Sequence, residues 1–223
     1  MKFLLNSTID TLPTRVNLKM WGKVSSDKCR CGRKETLNHI LNCCTRSLNE
    51  GRYTYRHDCI LKYISGCLDP KYKSFVDIPG HQTPGGGTLP PNVAVSVLKP
   101  DVVIVDKSKK TVDIFELTVP AEHRLKISHD LKYQKYSHLV SDSHNLKVNV
   151  TPFEVGSHTG YINSDNKKYI NALHKFCKKN IKLKLFMQNM SAISVMSSYY
   201  IFNCRNFENW EDMEPIQPPF KHQ

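Results

Sequence analysis

The sequence lacks the patterns that mark several large classes of protein. One long stretch without charged residues, 186–204, contains too much serine, asparagine and glutamine to span a membrane. The amino terminus does not follow the pattern of a signal peptide. The triple glycine at 85–87 is not followed by the Gly-Lys-Ser/Thr of a phosphate-binding loop. We therefore expect neither a membrane protein, nor a secreted protein, nor a P-loop enzyme.

Acidic residues are scarce relative to basic ones. The 223 residues include 20 Asp and Glu against 32 Lys and Arg, which gives a net charge of +12 and a pI near 9.3. This balance favours a polyanionic partner, although a nuclease, a ribosomal protein and a membrane-surface binder would all show it. The cysteines outside one dense cluster are scattered, so we expect a reducing intracellular compartment without structural disulfides.

Two runs rich in β-branched residues, Val102–Asp106 and 111–119, flank a polar loop of four residues. If this loop closes as a hairpin, counting back along the ladder places Asp101 directly opposite Glu116. The sequence therefore predicts two carboxylates on neighbouring strands, with Cβ atoms about 4.5–5.5 Å apart.

The face that carries these two acids is otherwise apolar. Its other members are Val103, Val105, Val112 and Ile114. Such a face points inward, where two like charges are costly unless a cation lies between them. Carboxylate oxygens suit Mg²⁺, which keeps several waters and can present one to a phosphodiester. The alternative is an ordinary hairpin whose acids face solvent and are neutralised by lysines.

A helix is predicted after the second strand of the hairpin, with Leu125, Lys132 and Leu139 at seven-residue spacing along one stripe. Lys132 thus occupies a position that faces the core. From there its ammonium would reduce the repulsion between the two acids and stabilise charge on a transferring phosphate. Lys135 and Tyr136, one turn further on, are close enough to compete for this role.

Five potential zinc ligands lie close together in the sequence: Cys29, Cys31, His39, Cys43 and Cys44. Thiolates and an imidazole at such short spacing are typical of a closed zinc site, around which a small unit folds without a large core. On a helix, Cys43 would share the face of His39 because it lies four residues further on. The alternative is a set of reduced, buried cysteines, since the single residue between Cys29 and Cys31 is fewer than zinc sites usually have.

Residues 52–68 are predicted to form an amphipathic helix. His57 shares its apolar stripe, and Asp58 lies at the edge of that stripe. His57 is therefore expected to face either the hydrophobic core or the cleft that contains the two acids.

A third strand is predicted at 146–155 and ends near Glu154, which is either an additional active-site acid or a surface residue. Glycine and proline make 81–91 a flexible tether. Two further helices are predicted, at about 164–177 and 186–204.

The order of these motifs resembles one known family. Over nearly its whole length, the chain is similar to the carboxy-terminal part of non-LTR retrotransposon polyproteins with a restriction-like endonuclease of the PD-(D/E)xK superfamily. In that family a zinc knuckle precedes the nuclease, the usual lysine of the second strand has moved to the next helix, and a Lys-x-x-Lys-Tyr run marks that helix. Here Glu116 is followed by Leu-Thr in place of the lysine, and residues 132–136 supply the run.

The resemblance implies an α/β fold, with a restriction-endonuclease-like core of mixed central sheet flanked by helices and a small N-terminal zinc knuckle. It divides the chain into a lead-in and CCHC knuckle at 1–50, an endonuclease domain at 51–180, and a C-terminal helix and tail at 181–223. The sequence has no Tyr-x-Asp-Asp motif, so the reverse transcriptase domain is expected in the parent polyprotein.

The resemblance also implies roles for particular residues. Asp101 and Glu116 would hold a catalytic Mg²⁺, Lys132 or Lys135 would be the catalytic lysine, and Asp58 would be a further acid from the first helix. The family's His-x4-Cys spacing favours the second of the two adjacent cysteines as the last ligand of a structural Zn²⁺. The implied zinc ligands are Cys29, Cys31, His39 and Cys44, with Cys43 as the alternative.

The implied activity is that of a metal-dependent DNA endonuclease in the nucleus, which nicks target DNA so that a 3′ hydroxyl primes reverse transcription. Double-stranded DNA is then the expected partner, and element RNA is a further one. The alternative, from another class, is a catalytically silent, zinc-containing nucleic-acid-binding module from a degenerate or domesticated element.

Overall fold

A computed structural model describes residues 2–91, 93, 98–140, 146–208, 210 and 216–221. Within these residues the chain has an α/β fold in which helices flank a four-stranded mixed sheet. The strands are β1 (Lys73–Val76), β2 (Val102–Asp106), β3 (Thr111–Thr118) and β4 (Lys147–Glu154). The α-helices are α1 (Lys2–Thr8), α2 (Arg15–Met20), α3 (Thr45–Asn49), α4 (Arg52–Cys67), α5 (Leu125–Tyr136), α6 (Ser164–His174) and α7 (Leu183–Asn203). Shorter turns are a π-helix (His39–Cys43) and 3₁₀ segments (Glu122–Arg124, Ser137–Val140 and Cys204–Asn206).

The sheet has the order β1-β2-β3-β4. The predicted hairpin is confirmed, because β2 and β3 pair antiparallel with Val103 opposite Ile114. The predicted third strand is β4, which pairs parallel with β3 at the edge of the sheet. An edge position also explains why β4 tolerates Pro152, which has no N–H to donate to a neighbouring strand. Strand β1, which pairs antiparallel with β2, was not predicted.

The hairpin is buried on both faces. One face consists of Val103, Val105, Val112 and Ile114. It packs under Tyr136, at the end of α5, and under Leu139, in the 3₁₀ segment that follows. The other face packs against α4, α6 and α7 and consists of Val102, Ile104, Phe115 and Leu117. Burial on two sides accounts for the nearly continuous apolar character of both strands.

Helix α5 provides the connection between the parallel strands β3 and β4. Parallel neighbours need such a crossover because a tight turn can join only antiparallel strands. Leu125 and Tyr136 are buried at the two ends of α5, and Lys132 between them is partly buried. The helix therefore lies over the face of the sheet that carries the two acids.

The N-terminal region packs onto the C-terminal helix. Leu37, Ile40 and Leu41, beside the cysteine cluster, form an apolar cluster with Ile201 and Phe202 of α7. The division of the chain at residues 50 and 180 stays a prediction. Among the residues that the structure describes, no helix is long and apolar enough to cross a membrane.

Residues 81–91, which we expected to be a tether, contain neither helix nor strand. They are nevertheless packed against the sheet region. Thr88 is buried and its hydroxyl donates to the Pro100 carbonyl oxygen at 2.6 Å, while Leu89 joins the apolar cluster under α5. This segment therefore fixes the approach of the chain to Asp101.

Candidate functional site

Asp101 and Glu116 lie next to each other at the start of the β2–β3 ladder. The side chain of Glu116 is fully buried, and Asp101 is 6% exposed. The backbone N–H of Asp101 donates to Glu116 Oε1 at 3.0 Å, and the N–H of Leu117 donates to Asp101 Oδ2 at 2.7 Å. Each carboxylate thus accepts a backbone N–H from the chain segment that carries the other acid. This agrees with the predicted position of the two acids opposite each other.

Lys132 places its ammonium between the two carboxylates. Its Nζ donates to Glu116 Oε2 at 2.7 Å and lies 3.6 Å from Asp101 Oδ2. Burial alone would lower the pKa of Lys132, but the charges of Asp101 and Glu116 raise it above its ordinary value. Burial, together with the Asp101 charge, raises the pKa of Glu116 to about 7 in spite of Lys132. Lys132 therefore provides a positive charge between the two acids, as its position in the sequence predicts, and the Mg²⁺ expected there stays a prediction.

His57 contributes a second positive charge to this centre. Its Nε2 lies 3.3 Å from Asp101 Oδ2, and its Nδ1 lies 3.1 Å from Asp58 Oδ1. Burial opposes the charged form of His57, but Asp101 and then Asp58 raise its pKa to about 10. Burial likewise opposes ionisation of Asp101, yet His57 and Lys132 hold the pKa of that carboxyl below its ordinary value.

Of the remaining predicted residues, Asp58 and Lys135 lie at the margin of this centre. Within the described part of the chain, Asp58 contacts His57, whose imidazole in turn contacts Asp101. Lys135 is exposed, and its Nζ lies 4.8 Å from the centre of the Tyr136 ring. Tyr136 is buried, and its hydroxyl donates to the Lys99 carbonyl oxygen at 3.3 Å. The described contacts thus join Lys132, rather than Lys135, to the carboxylates.

The ligand types at this centre suit Mg²⁺, which proteins bind through one or two carboxylates while it keeps several waters. Both oxygens of Glu116 and one oxygen of Asp101 already have partners in the chain. A bound magnesium ion would therefore take Asp101 and Glu116 as ligands in competition with Lys132 and His57.

A second cluster brings together Cys29, Cys31, His39 and Cys44. One ligand atom from each lies within 4.8 Å of all the others. The sulfurs of Cys29 and Cys44 are 3.8 Å apart, and Cys31 Sγ lies 3.1 Å from His39 Nε2. Tetrahedral zinc with Zn–S bonds of about 2.3 Å places two sulfurs about 3.8 Å apart. This Cys3His cluster could hold a structural zinc.

The local backbone explains why Cys44, and not Cys43, belongs to the cluster. His39–Cys43 forms a π-helix, in which the hydrogen-bonded partner is five residues away rather than four. Cys44 follows the π-helix with an extended backbone and is buried, with its N–H bonded to the Tyr53 hydroxyl, whereas Cys43 is exposed. On the other side of the cluster, Gly32 adopts the left-handed conformation that closes the turn after Cys31.

Comparison with known proteins does not assign the chain to a family. A scan against protein-family models finds no match, and a search of curated proteins finds none either. The function proposed below therefore depends on the residues and contacts of this chain.

Helix α4 connects the two clusters, and this link was not predicted from the sequence. The Tyr53 hydroxyl accepts from the N–H of Cys44 at 2.9 Å and donates to the Ile40 carbonyl oxygen at 3.0 Å. Arg56, which is buried, donates to the carbonyl oxygen of Val119 just beyond β3. With His57 next along the helix, α4 contacts the Cys3His cluster and Asp101 within five residues. A tyrosine and an arginine shortly before an expected core histidine were the signals available in the sequence.

Glu154 is buried, so the interpretation as a surface residue is wrong. Its Oε1 lies 3.2 Å from Nδ1 of His129 on α5, and its backbone N–H donates to Asn166 Oδ1. The His129 ring stacks on Tyr169 with centroids 4.8 Å apart. Burial raises the pKa of Glu154 to about 7. The described contacts of Glu154 are with His129 and α6 rather than with Asp101 or Glu116.

Proposed function

We propose that the chain is a metal-dependent DNA endonuclease with a restriction-endonuclease-like core, of the kind that nicks target DNA for non-LTR retrotransposon integration. The observation that supports this most is the buried cluster of Asp101, Glu116 and Lys132. It combines an acid before one strand, an acid on the next strand and a lysine from the following helix. That is the arrangement expected from the family resemblance, with the lysine moved from the second strand to the helix.

The two carboxylates would hold Mg²⁺, which when bound supplies an activated water and neutralises charge on the phosphate. Lys132 keeps a proton and carries its charge at the edge of the carboxylate pair. There it can contact a phosphate oxygen and stabilise the charge that develops during phosphodiester cleavage. His57 keeps Asp101 ionised, which is the form that can bind Mg²⁺ in exchange for the contact with His57.

Double-stranded DNA is the proposed substrate, in agreement with the net charge of +12. We further propose that the protein acts in the nucleus, that element RNA is a second partner, and that a reverse transcriptase domain belongs to the parent polyprotein. The Cys3His cluster, loaded with zinc, would form the knuckle that precedes the nuclease core.

One observation favours the second candidate, a catalytically silent nucleic-acid-binding module. Lys132 and His57 already neutralise the two acids, so the cluster can act as a structural, buried ion-pair network that binds no metal. In this case DNA binding would depend on the basic surface and the zinc knuckle, and Mg²⁺ would have no effect.

The test is the conversion of supercoiled plasmid to open circle by the purified chain, with and without Mg²⁺. We expect nicking only with Mg²⁺, and its loss in Asp101→Asn and Glu116→Gln. Asp113→Asn is the matched control, because Asp113 lies on β3 but bonds to Asn149 instead of the cluster. Thermal melting shows whether each variant is folded. If Asp101→Asn nicks as well as the parent, the enzyme proposal is refuted; salt-dependent DNA binding without nicking supports the second candidate.

A further inference from the structure

A large apolar groove runs along the outer side of α7. It has a volume of about 1220 Å³ and is lined by α7, by α1 and by the segment 159–162, with Phe220 at one side. None of its lining residues belongs to the carboxylate centre or to the Cys3His cluster. The groove is therefore a separate surface, which the proposed nuclease activity does not use.

The floor of the groove is a continuous stripe of one helix. Its α7 residues recur at intervals of three and four from Lys184 to Asn203, which places them on one face. The opposite face of α7 is buried in the main core through Phe186, Met190 and Ile193. The apolar members of the stripe are Met187, Ala192, Val195, Met196 and Phe202, and apolar side chains on a helix are normally covered.

Part of this stripe nevertheless remains open in the structure. Met196 is 41% exposed and Tyr199 is 49% exposed, although neither carries a charge. From Met187 to Asn203 the stripe is about 24 Å long, at about 1.5 Å per residue. This length matches a partner helix of about four to five turns.

The rim of the groove carries charge of one sign. Lys2, Lys167 and Lys184 line it, and among the residues that the structure describes no acidic one does. All three lysines are exposed, and none forms an ion pair with a carboxylate in the part of the chain that the structure describes. An occupant with acidic flanks would therefore gain electrostatic attraction at several points along the groove.

We propose that this groove binds an acidic amphipathic α-helix of a partner protein. Apolar residues of that helix pack on the α7 stripe, and its Asp or Glu residues contact the rim lysines, which is the helix-in-groove mode of recognition. Met187 and Met196 are flexible side chains that adapt to different apolar partners. A second copy of the chain is a poor occupant, since its net charge of +12 would meet the same lysines.

The proposal is tested with a synthetic helical peptide of about 18 residues, with Leu at helical spacing, Glu at the other positions and a fluorescent label. Binding to the full chain is followed by anisotropy at low salt. Two comparison peptides replace Glu by Lys, or keep the composition and scramble the Leu positions. We expect the Glu peptide alone to bind, at one peptide per chain.

Variants locate the binding surface. Reversing two rim charges in Lys167→Glu/Lys184→Glu should weaken binding of the Glu peptide by roughly tenfold, because two attractions become repulsions. Met196→Asp should weaken binding of the Glu peptide further, because it places a negative charge in the apolar floor of the groove. The matched controls are Lys126→Glu/Lys179→Glu, with the same change in net charge, and Ile127→Asp, at an apolar residue of α5 that is somewhat more exposed than Met196. These controls should bind like the parent.

Three outcomes would overturn the proposal. The first is that the Glu peptide does not bind, or binds no better than the Lys or scrambled peptide. The second is that labelled oligothymidine, and not the peptide, binds more weakly to the rim and floor variants, which would make the groove a nucleic-acid site. The third is that the chain is a dimer that Met196→Asp converts to a monomer. None of these measurements depends on nicking, so the result is independent of the proposed function.

Discussion

At the scale of single residues, Lys132 and Lys135 should respond very differently to removal of charge. Lys132→Met removes the cation nearest to the buried Glu116 and leaves Asp101 with His57 alone, so we expect a decrease of about 2–3 kcal/mol in the free energy of unfolding at pH 8. The decrease should be smaller at pH 5, because Glu116 then takes up a proton and the repulsion disappears. Lys135→Met, on an exposed side chain, should change stability by less than about 0.5 kcal/mol. Urea unfolding at the two pH values measures both.

The same pair of variants separates the two lysines in catalysis. If Lys132 stabilises charge in the transition state, Lys132→Met should reduce the rate of plasmid nicking by roughly 10²–10³-fold, while Lys135→Met keeps most of the activity. Comparison at a temperature where both variants are folded removes the effect of stability. An inactive Lys135→Met beside an active Lys132→Met would mean that the catalytic lysine is Lys135.

Glu154 gives a pH-dependent prediction of its own. Its pKa is raised from 4.5 to about 7 by burial, so the folded protein holds a proton that the unfolded chain releases in this range. The wild-type protein therefore becomes less stable as the pH rises from about 5 to 7, whereas Glu154→Gln avoids this decrease. We expect the variant to be more stable than the parent by about 3 kcal/mol at pH 8 and nearly equal to it near pH 4.5.

Urea unfolding at pH 4.5 and 8 tests this expectation, with Glu208→Gln as the control because Glu208 is exposed. His129, whose pKa burial lowers, contacts Glu154 directly, so its own titration also contributes to the difference between parent and variant. A Glu154→Gln protein that is less stable than the parent at pH 8 would show that the ionised carboxylate itself holds the structure together.

Local sequence rules found some of these residues and missed others. The pairing of Asp101 with Glu116 follows from counting residue pairs back from a short hairpin loop. The inward position of Lys132 follows from its helical spacing over two turns. The contact of His57 with Asp101 and the burial of Glu154 depend on how α4 and α6 pack against the sheet. Such packing joins residues far apart in the chain, and no periodicity of a single segment records it.

At the scale of elements, the strength of the local signal decided what could be predicted. β2 and β3 are rich in valine, isoleucine and phenylalanine and are joined by a four-residue loop, so their pairing was evident. β1 has the sequence Lys-Ser-Phe-Val, whose short alternation carries little signal by itself. It becomes a strand because β2 offers a free edge for pairing. The π-helix at the cysteine cluster could not be predicted either, because assigning residues to one face of a helix assumes the periodicity of an α-helix.

The Cys3His cluster predicts a local response to removal of zinc. We expect one zinc per chain, and chelation should increase hydrogen exchange of backbone amides in residues 27–50 while the four strands stay protected. The apolar packing of Ile40 and Leu41 on α7 limits the effect, because it remains after the metal has been removed. Elemental analysis gives the zinc content, and hydrogen exchange with mass spectrometry gives the location.

Two neighbouring cysteines serve as a matched pair for this prediction. Cys44→Ser removes a buried thiolate of the cluster and should lower zinc content, whereas Cys43→Ser changes an exposed thiol and should not. Loss of zinc in Cys43→Ser with retention in Cys44→Ser would contradict the assignment. Collapse of the whole fold on chelation would show that the sheet depends on the metal as well.

At the scale of the whole molecule, the basic surface predicts how nucleic acid binds. Lysines are spread over the hairpin loop, α5 and the segment 178–184, and a cavity of about 560 Å³ at the hairpin end is lined by Lys71, Lys73, Lys107 and Lys109. Lysines in such an arrangement suit binding to phosphates more than reading of bases. Affinity for duplex DNA should therefore fall steeply with salt and differ little between unrelated sequences.

Lys107→Gln/Lys110→Gln should reduce the slope of log affinity against log salt by up to about 1.8, which is about 0.9 for each phosphate that is no longer neutralised. Lys19→Gln/Lys23→Gln, which removes the same charge from exposed positions outside these segments, should leave the slope nearly unchanged. Anisotropy titrations of two unrelated duplexes between about 50 and 200 mM salt test this, and a flat response to salt would rule out a phosphate-dominated interface.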